Sequence, residues 1–163
     1  MKVKDLCIVA LAAALLFIQE QALSLIPNVQ LTIMFVIVYA RLFDIKTCGF
    51  IVFLHVLLDS IVNGSFLLFL PEFIGLAAIP IGVRFIKTEN IILMSLFAIG
   101  AALFYSWLFV PPFCLLFEMN VLDYLIMDLP YEGMLAASSF ISVLILYKPL
   151  KRLGDVYVCK RVA

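Results

Sequence analysis

The segment GFIVFLHVLLDSIVNGSFLLFLPE, residues 49–72, places His55, Asp59 and Asn63 within a largely apolar run, at intervals of four residues. Because a helix turns by about 100° per residue, side chains spaced in this way lie on one narrow face. The segment therefore predicts an apolar helix with a single polar stripe. The Asn-Gly-Ser sequence at residues 63–65 predicts a turn that ends this helix.

The polar stripe has two interpretations. An ionised carboxylate within the hydrocarbon of a bilayer costs about 2.5 to 3.5 kcal/mol on insertion scales. Asp59 is therefore expected to face protein or a water-filled cavity rather than lipid. The stripe either contributes to a binding site or supplies hydrogen bonds that hold membrane helices together.

The composition indicates an integral membrane protein. Hydrophobic residues make up 66% of the 163 residues, charged residues make up 13%, and the mean hydropathy is +1.23. A soluble domain of this length could not bury so much apolar surface. The apolar segments predict an all-α fold with six transmembrane helices in one domain, at residues 6–25, 29–43, 48–62, 71–86, 91–110 and 131–147.

The first apolar segment has an alternative interpretation as a secretory signal peptide. Its apolar region is longer than the core of a typical signal peptide, and the polar residues 19–21 interrupt its end. These features favour a helix that is retained in the mature protein.

The basic residues predict the orientation of the six spans. All 11 Lys and Arg residues lie before the first span, after the sixth, or around the connections between the second and third and the fourth and fifth spans, with Arg41 and Arg84 in the last turns of the second and fourth. The alternate connections carry acidic residues and no Lys or Arg. By the positive-inside rule, both termini are expected to be cytoplasmic in a multi-pass membrane protein.

Polar side chains from five of these spans are expected at one level in the outer half of the membrane. We expect His55, one turn deeper, to hold the carboxylate of Asp59. Trp107 and Tyr131 have an equally plausible role in an interfacial aromatic belt. The candidate substrate-binding residues are Gln19, Asn28, Gln30, His55, Asp59, Asn63, Trp107, Tyr131 and Glu132.

The cytoplasmic half of the first span carries Ala10 and Ala14, a small-xxx-small spacing that lets a second helix approach closely. The partner is either another protein or another helix of the same chain, since alanine is common in membrane helices.

The sequence does not predict a metal site or an enzyme. The chain has one histidine and no Cys-x-x-Cys pair, so no dedicated zinc site is expected. His55 and Asp59 as an acid/base pair would lack a nucleophile. We expect no cofactor, no metal and no nucleic-acid partner.

The chain resembles the substrate-binding S components of energy-coupling factor (ECF) transporters, the vitamin importers of bacteria. The resemblance covers nearly the whole length and includes the six spans. Its motifs are Ala10-x-x-x-Ala14, Pro27-Asn28-Val29-Gln30-Leu31-Thr32, His55-Val56-Leu57-Leu58-Asp59 and Lys148-Pro149-Leu150-Lys151-Arg152.

The resemblance implies a location in the bacterial cell membrane and capture of a vitamin or related micronutrient from outside the cell. It also implies docking onto a transmembrane T component through the face that carries Ala10 and Ala14, with two cytoplasmic ATPases as the energy source. The chain contains no Gly-x-x-x-x-Gly-Lys-Ser/Thr loop, so ATP hydrolysis is expected in the partner subunits.

The substrate is not identified by the sequence, and cobalamin or a queuosine precursor is suggested by the resemblance alone. A second hypothesis is a membrane scaffold similar to the MreD-type rod-shape proteins, which are alike in length and number of spans. Such a scaffold would bind other membrane proteins and no small molecule. The convergent polar residues favour the transporter, because a scaffold does not need a polar cavity.

Overall fold

The computed structural model describes residues 3–26 and 29–159, and this part of the chain is all-helical and contains no strand. A single 3-10 turn, Phe66–Leu68, precedes the fourth α-helix. The α-helices are α1 (Val3–Leu23), α2 (Thr32–Leu42), α3 (Ile45–Asn63), α4 (Phe69–Phe85), α5 (Ile91–Trp107), α6 (Val110–Phe117) and α7 (Val121–Cys159).

Five helical stretches of the described chain are long and apolar enough to cross a membrane. They correspond to the first, third, fourth, fifth and sixth predicted spans. The stretches are Asp5–Leu23, Ile45–Asn63, Phe66–Phe85, Ile91–Phe117 and Val121–Val156.

The segment predicted as the second span, residues 29–43, forms only the 11-residue helix α2. A helix of this length extends about 16 Å, roughly half of a hydrocarbon core of about 30 Å. Eight of the 11 residues of α2 are buried and none is exposed, and the helix packs against α1, α3, α4, α5 and α7. A helix that is apolar on all sides is stable when protein surrounds it.

The turn predicted at residues 63–65 is confirmed. Gly64 ends α3 with a φ of +69°, in the left-handed region that favours glycine. Residues 66–70 lie outside the predicted spans, but they are not a loop in the structure, because a 3-10 turn and the first residues of α4 occupy this stretch.

The last span was expected to begin at Tyr131, and the structure corrects this boundary. Helix α7 begins at Val121, where Asn120 caps it by accepting a hydrogen bond from the backbone N–H of Leu122 at 3.2 Å. Pro130 lies inside the helix and does not end it. The first turns of α7 therefore pack against α6 in place of a connecting loop.

Asp44 caps the start of α3, at the end of the bundle where the described basic residues lie. Its carboxylate accepts hydrogen bonds from the backbone N–H groups of Lys46 at 3.1 Å and Thr47 at 3.3 Å, and from the Thr47 hydroxyl. The hydroxyl of Thr47 is the main cause that holds the pKa of Asp44 below its ordinary value. The cap therefore stabilises the start of α3 while Asp44 is ionised.

Replacing Asp44 with alanine removes this cap, so we expect a loss of about 1 kcal/mol in unfolding free energy, or about 2 to 4 °C in Tm. The folded pKa is lowered, so the ionised cap contributes fully above the ordinary aspartate pKa of about 3.9 and its contribution is lost as pH falls through the folded pKa. Thermal unfolding in detergent at pH 7 measures the effect. Asp44→Asn is the matched control, since asparagine caps about as well as aspartate. A Tm of Asp44→Ala equal to that of the wild type would contradict the assignment.

Candidate functional site

A cavity of about 480 Å³ lies at the end of the bundle where α1 and α3 end and α2 begins. Exposed lining residues such as Ser24, Ile26 and Asn63 mark its opening to the surface. No Lys or Arg belongs to the lining that the described residues form. Its polar lining consists of Glu20, Gln21, Ser24, Gln30, Asp59, Asn63, Tyr105, Ser106, Tyr124 and Asp128.

The shortness of α2 accounts for the position of this cavity. Helix α2 starts only at Thr32, and the preceding residues Val29 and Gln30 are non-helical and line the cavity. Longer helices, α1 and α3 among them, extend past this point. The space that a full-length second helix would occupy is therefore partly open.

Gln19 fixes the start of α2 and lies behind the cavity rather than in its lining. Its Oε1 accepts a hydrogen bond from the backbone N–H of Leu31 at 2.9 Å. Its Nε2 donates to Thr32 Oγ1 at 2.6 Å and to the carbonyl oxygen of Leu16 at 2.9 Å. The adjacent residue, Glu20, takes the place in the lining that we expected for Gln19.

Two members of the predicted polar stripe line the cavity. Asp59 is buried, and the Asn63 side-chain amide donates to Asp59 Oδ1 at 2.6 Å. The third member, His55, was expected to hold the carboxylate of Asp59, and this expectation is wrong. His55 Nε2 instead lies 3.2 Å from Glu20 Oε2 and 3.8 Å from Glu72 Oε1.

Glu20, His55 and Glu72 belong to α1, α3 and α4 and bring one potential donor atom each to within 4.8 Å of one another. His55 is fully buried and Glu72 is 5% exposed, whereas Glu20 is partly exposed at the cavity wall. Sequence spacing gave no signal for this cluster, because its three members lie on different helices. Carboxylate oxygens and an imidazole nitrogen are also the donor types that bind transition metals in proteins.

Aromatic rings form the wall of the cavity opposite α1 and α3. Adjacent ring centroids lie 5.0 Å apart for Tyr105 and Phe109, 6.2 Å for Phe109 and Phe113, and 5.9 Å for Phe113 and Tyr124. Gly75 of α4 lets the ring of Tyr105 approach, since a Cβ there would lie 2.8 Å from Tyr105 Cδ2. The sequence carries a signal for this wall, because positions 105, 109 and 113 are spaced at intervals of four residues. Phe109 and Phe113 were nevertheless not among the predicted site residues.

Helices α5 and α7 meet through polar groups at the same level. The Ser106 hydroxyl lies within hydrogen-bonding distance of Glu132 Oε1, at 3.3 Å, and of Asp128 Oδ2, at 3.4 Å. Asp128 lines the cavity, whereas Glu132 is buried behind it. Asp128 was not among the predicted site residues, because we expected it in a connection between two spans.

The remaining candidate residues are placed differently. Gln30 lines the cavity, and Asn28 lies outside the described residues. Trp107 and Tyr131 are 58% and 47% exposed, and neither belongs to the cavity lining.

The arrangement is suited to binding a small molecule. Ligand sites typically enclose about 300 to 1,000 Å³ and combine apolar or aromatic walls with a few polar groups, as this cavity does. Comparisons with protein-family models, curated proteins and solved structures gave no match for the chain.

Replacing Gln19 with alanine leaves the partly buried backbone N–H of Leu31 without its acceptor and removes a donor from the buried hydroxyl of Thr32. We therefore expect a loss of about 1 to 3 kcal/mol in unfolding free energy. Gln21→Ala is the matched control, because Gln21 lies at the partly exposed cavity edge and should leave stability nearly unchanged. Thermal unfolding of both variants in the same detergent measures the difference. Equal Tm values for the two variants would show that Gln19 does not hold α2 in place.

Proposed function

We propose that this protein is the membrane-embedded, substrate-binding subunit of an ECF-type importer. It captures a vitamin or a related micronutrient and passes it on through a T component and two ATPase subunits. The observation that carries the proposal is the cavity of about 480 Å³, which joins carboxylates, amides and aromatic rings from several helices at one end of the bundle. A scaffold has no need of such a cavity.

The charge distribution supports an orientation in which the cavity opens to the outside of a bacterial cell. The connections at the cavity end, residues 24–31, 64–68 and 108–120, contain no Lys or Arg. The basic residues that the structure describes lie at the other end, which the positive-inside rule assigns to the cytoplasm together with both termini. The cavity is then accessible to nutrients that reach the membrane from outside.

The short helix α2 is compatible with six membrane crossings. The non-helical residues 29–31 next to it lie beside the cavity and are partly buried by protein. Non-helical backbone at membrane depth is tolerated where it is buried in protein or lines a water-filled cavity. In this proposal, α2 and residues 29–31 together form the second of the six crossings.

The α1 surface that carries Ala10 supports the proposed coupling to a T component. Helix α1 packs against α3 and α2, and this leaves Ala10 exposed and Ala14 partly exposed. Exposed small residues one turn apart let a helix of another protein approach the backbone of α1 closely. The sequence has no phosphate-binding loop, so the proposal places ATP hydrolysis in the partner subunits.

The proposed orientation can be tested by cysteine labelling after the four native cysteines have been replaced. A membrane-impermeant thiol reagent added to intact cells should label Asp123→Cys, in the first turn of α7 at the cavity end, and should not label Lys87→Cys. Permeabilised cells are the control, in which both positions should react. The reverse pattern in intact cells would overturn the six-span topology.

Replacing both Ala10 and Ala14 with leucine should prevent the close helix contact, since such contacts depend on short distances between backbones. We expect the double variant to fold and to lose co-purification with a co-expressed T component and its two ATPases. Thermal unfolding of the isolated protein checks its fold.

Ala137→Leu is the matched control, because Ala137 is an exposed alanine on α7 and the proposed docking face lies on α1. This variant should co-purify with the partners as the wild type does. A double variant of Ala10 and Ala14 that stays in the complex would remove the docking role from this face.

A further inference from the structure

The cluster of Glu20, His55 and Glu72 brings two carboxylates next to a buried imidazole that makes no hydrogen bond within the described part of the chain. We propose that these three side chains bind a divalent transition-metal ion of the Zn²⁺ type at the inner wall of the cavity. The proposal goes beyond the transport function and does not depend on it, because it concerns the isolated protein.

The distances within the cluster are those of ligands around a common ion. Ligands of tetrahedral Zn²⁺ lie about 2.0 to 2.2 Å from the metal, which places them about 3.3 to 3.6 Å from one another. His55 Nε2 lies 3.2 Å from Glu20 Oε2 and 3.8 Å from Glu72 Oε1. All three donor atoms lie within 4.8 Å of one another, so small side-chain adjustments suffice to place them around one ion.

The buried imidazole has no hydrogen-bond partner among the described residues. His55 is 0% exposed, and neither of its ring nitrogens makes a hydrogen bond there. The 3.2 Å contact of Nε2 with Glu20 lacks the geometry of a hydrogen bond, and Glu20 Oε2 has no hydrogen-bond partner either. A buried polar group without a partner is costly, and a metal ion between Nε2 and the carboxylates removes this cost.

The charges of the cluster favour a divalent cation. Among the described residues, His55 is the only side chain that forms an ion pair with Glu20 or Glu72. A protonated histidine balances one carboxylate and leaves the other without a counter-charge in a low-dielectric site. A divalent ion held by two carboxylates and a neutral imidazole balances the charge of the whole cluster.

The donor types and their number favour Zn²⁺ over Ca²⁺ or Mg²⁺. An imidazole with two carboxylates suits transition metals, whereas Ca²⁺ and Mg²⁺ require six or more oxygen ligands, including waters. Three protein ligands leave a fourth position open, as in zinc sites that bind water or a substrate. Glu20 belongs to the cavity lining, so the cluster lies next to the cavity.

Isothermal titration of the metal-free protein with Zn²⁺ in detergent tests the proposal, in a variant whose four cysteines are replaced so that thiols do not compete. We expect one ion per chain and a higher Tm with Zn²⁺ than without it. His55→Gln and Glu72→Gln should weaken binding by about tenfold or more, because each removes a ligand. The visible spectrum of bound Co²⁺ should show a four-coordinate site.

Asp123→Asn is the control for nonspecific surface binding, since Asp123 is an exposed carboxylate on α7, and it should leave Zn²⁺ binding unchanged. If the variants of His55 and Glu72 do not fold, Glu20→Gln decides in their place, because Glu20 is partly exposed. The proposal is overturned if the wild-type cluster binds no Zn²⁺. It is also overturned if folded variants of the cluster bind Zn²⁺ as tightly as the parent protein, which would indicate an adventitious ion only.

Discussion

The burial of α2 on all of its sides is the packing constraint on which the other helices depend. Its apolar residues contact five neighbouring helices, so α2 lies where the long helices meet. Because α2 is only 11 residues long, it fills that position over about 16 Å, roughly half the length of a membrane-spanning helix. The cavity lies beyond its first residue, between the longer helices that surround it.

Gln19 connects this packing to the polar groups of the site. A single side chain satisfies the backbone N–H of Leu31 and the hydroxyl of Thr32, both at the start of α2. Its contacts also set the rotation of α1, and this rotation directs the next residue, Glu20, towards the cavity and His55. A hydrogen bond that stabilises the fold therefore also positions a charged group of the site.

Helix α1 joins the two surfaces on which the functional proposals rest. Glu20 lies near the end of α1 at the cavity, and Ala10 lies about 15 Å along the same helix, on an exposed face. The same helix packs along α3, which carries His55 and Asp59. The candidate site and the candidate docking face are thus two parts of one rigid element.

The sequence by itself predicted an all-helical fold with long apolar helices, a helix at residues 48–62 that the structure extends to 45–63, and the turn at Gly64. It could do so because hydropathy, helical periodicity and glycine's freedom at positive φ are local properties. It also identified Asp59 and Asn63, which line the cavity. Only the tertiary structure decided that Glu20 rather than Gln19 lines the cavity, since neighbouring residues on a helix differ by about 100° and packing sets the helix rotation. The cluster around His55 likewise required the tertiary structure, because its carboxylates come from two other helices and no spacing along the chain encodes that contact.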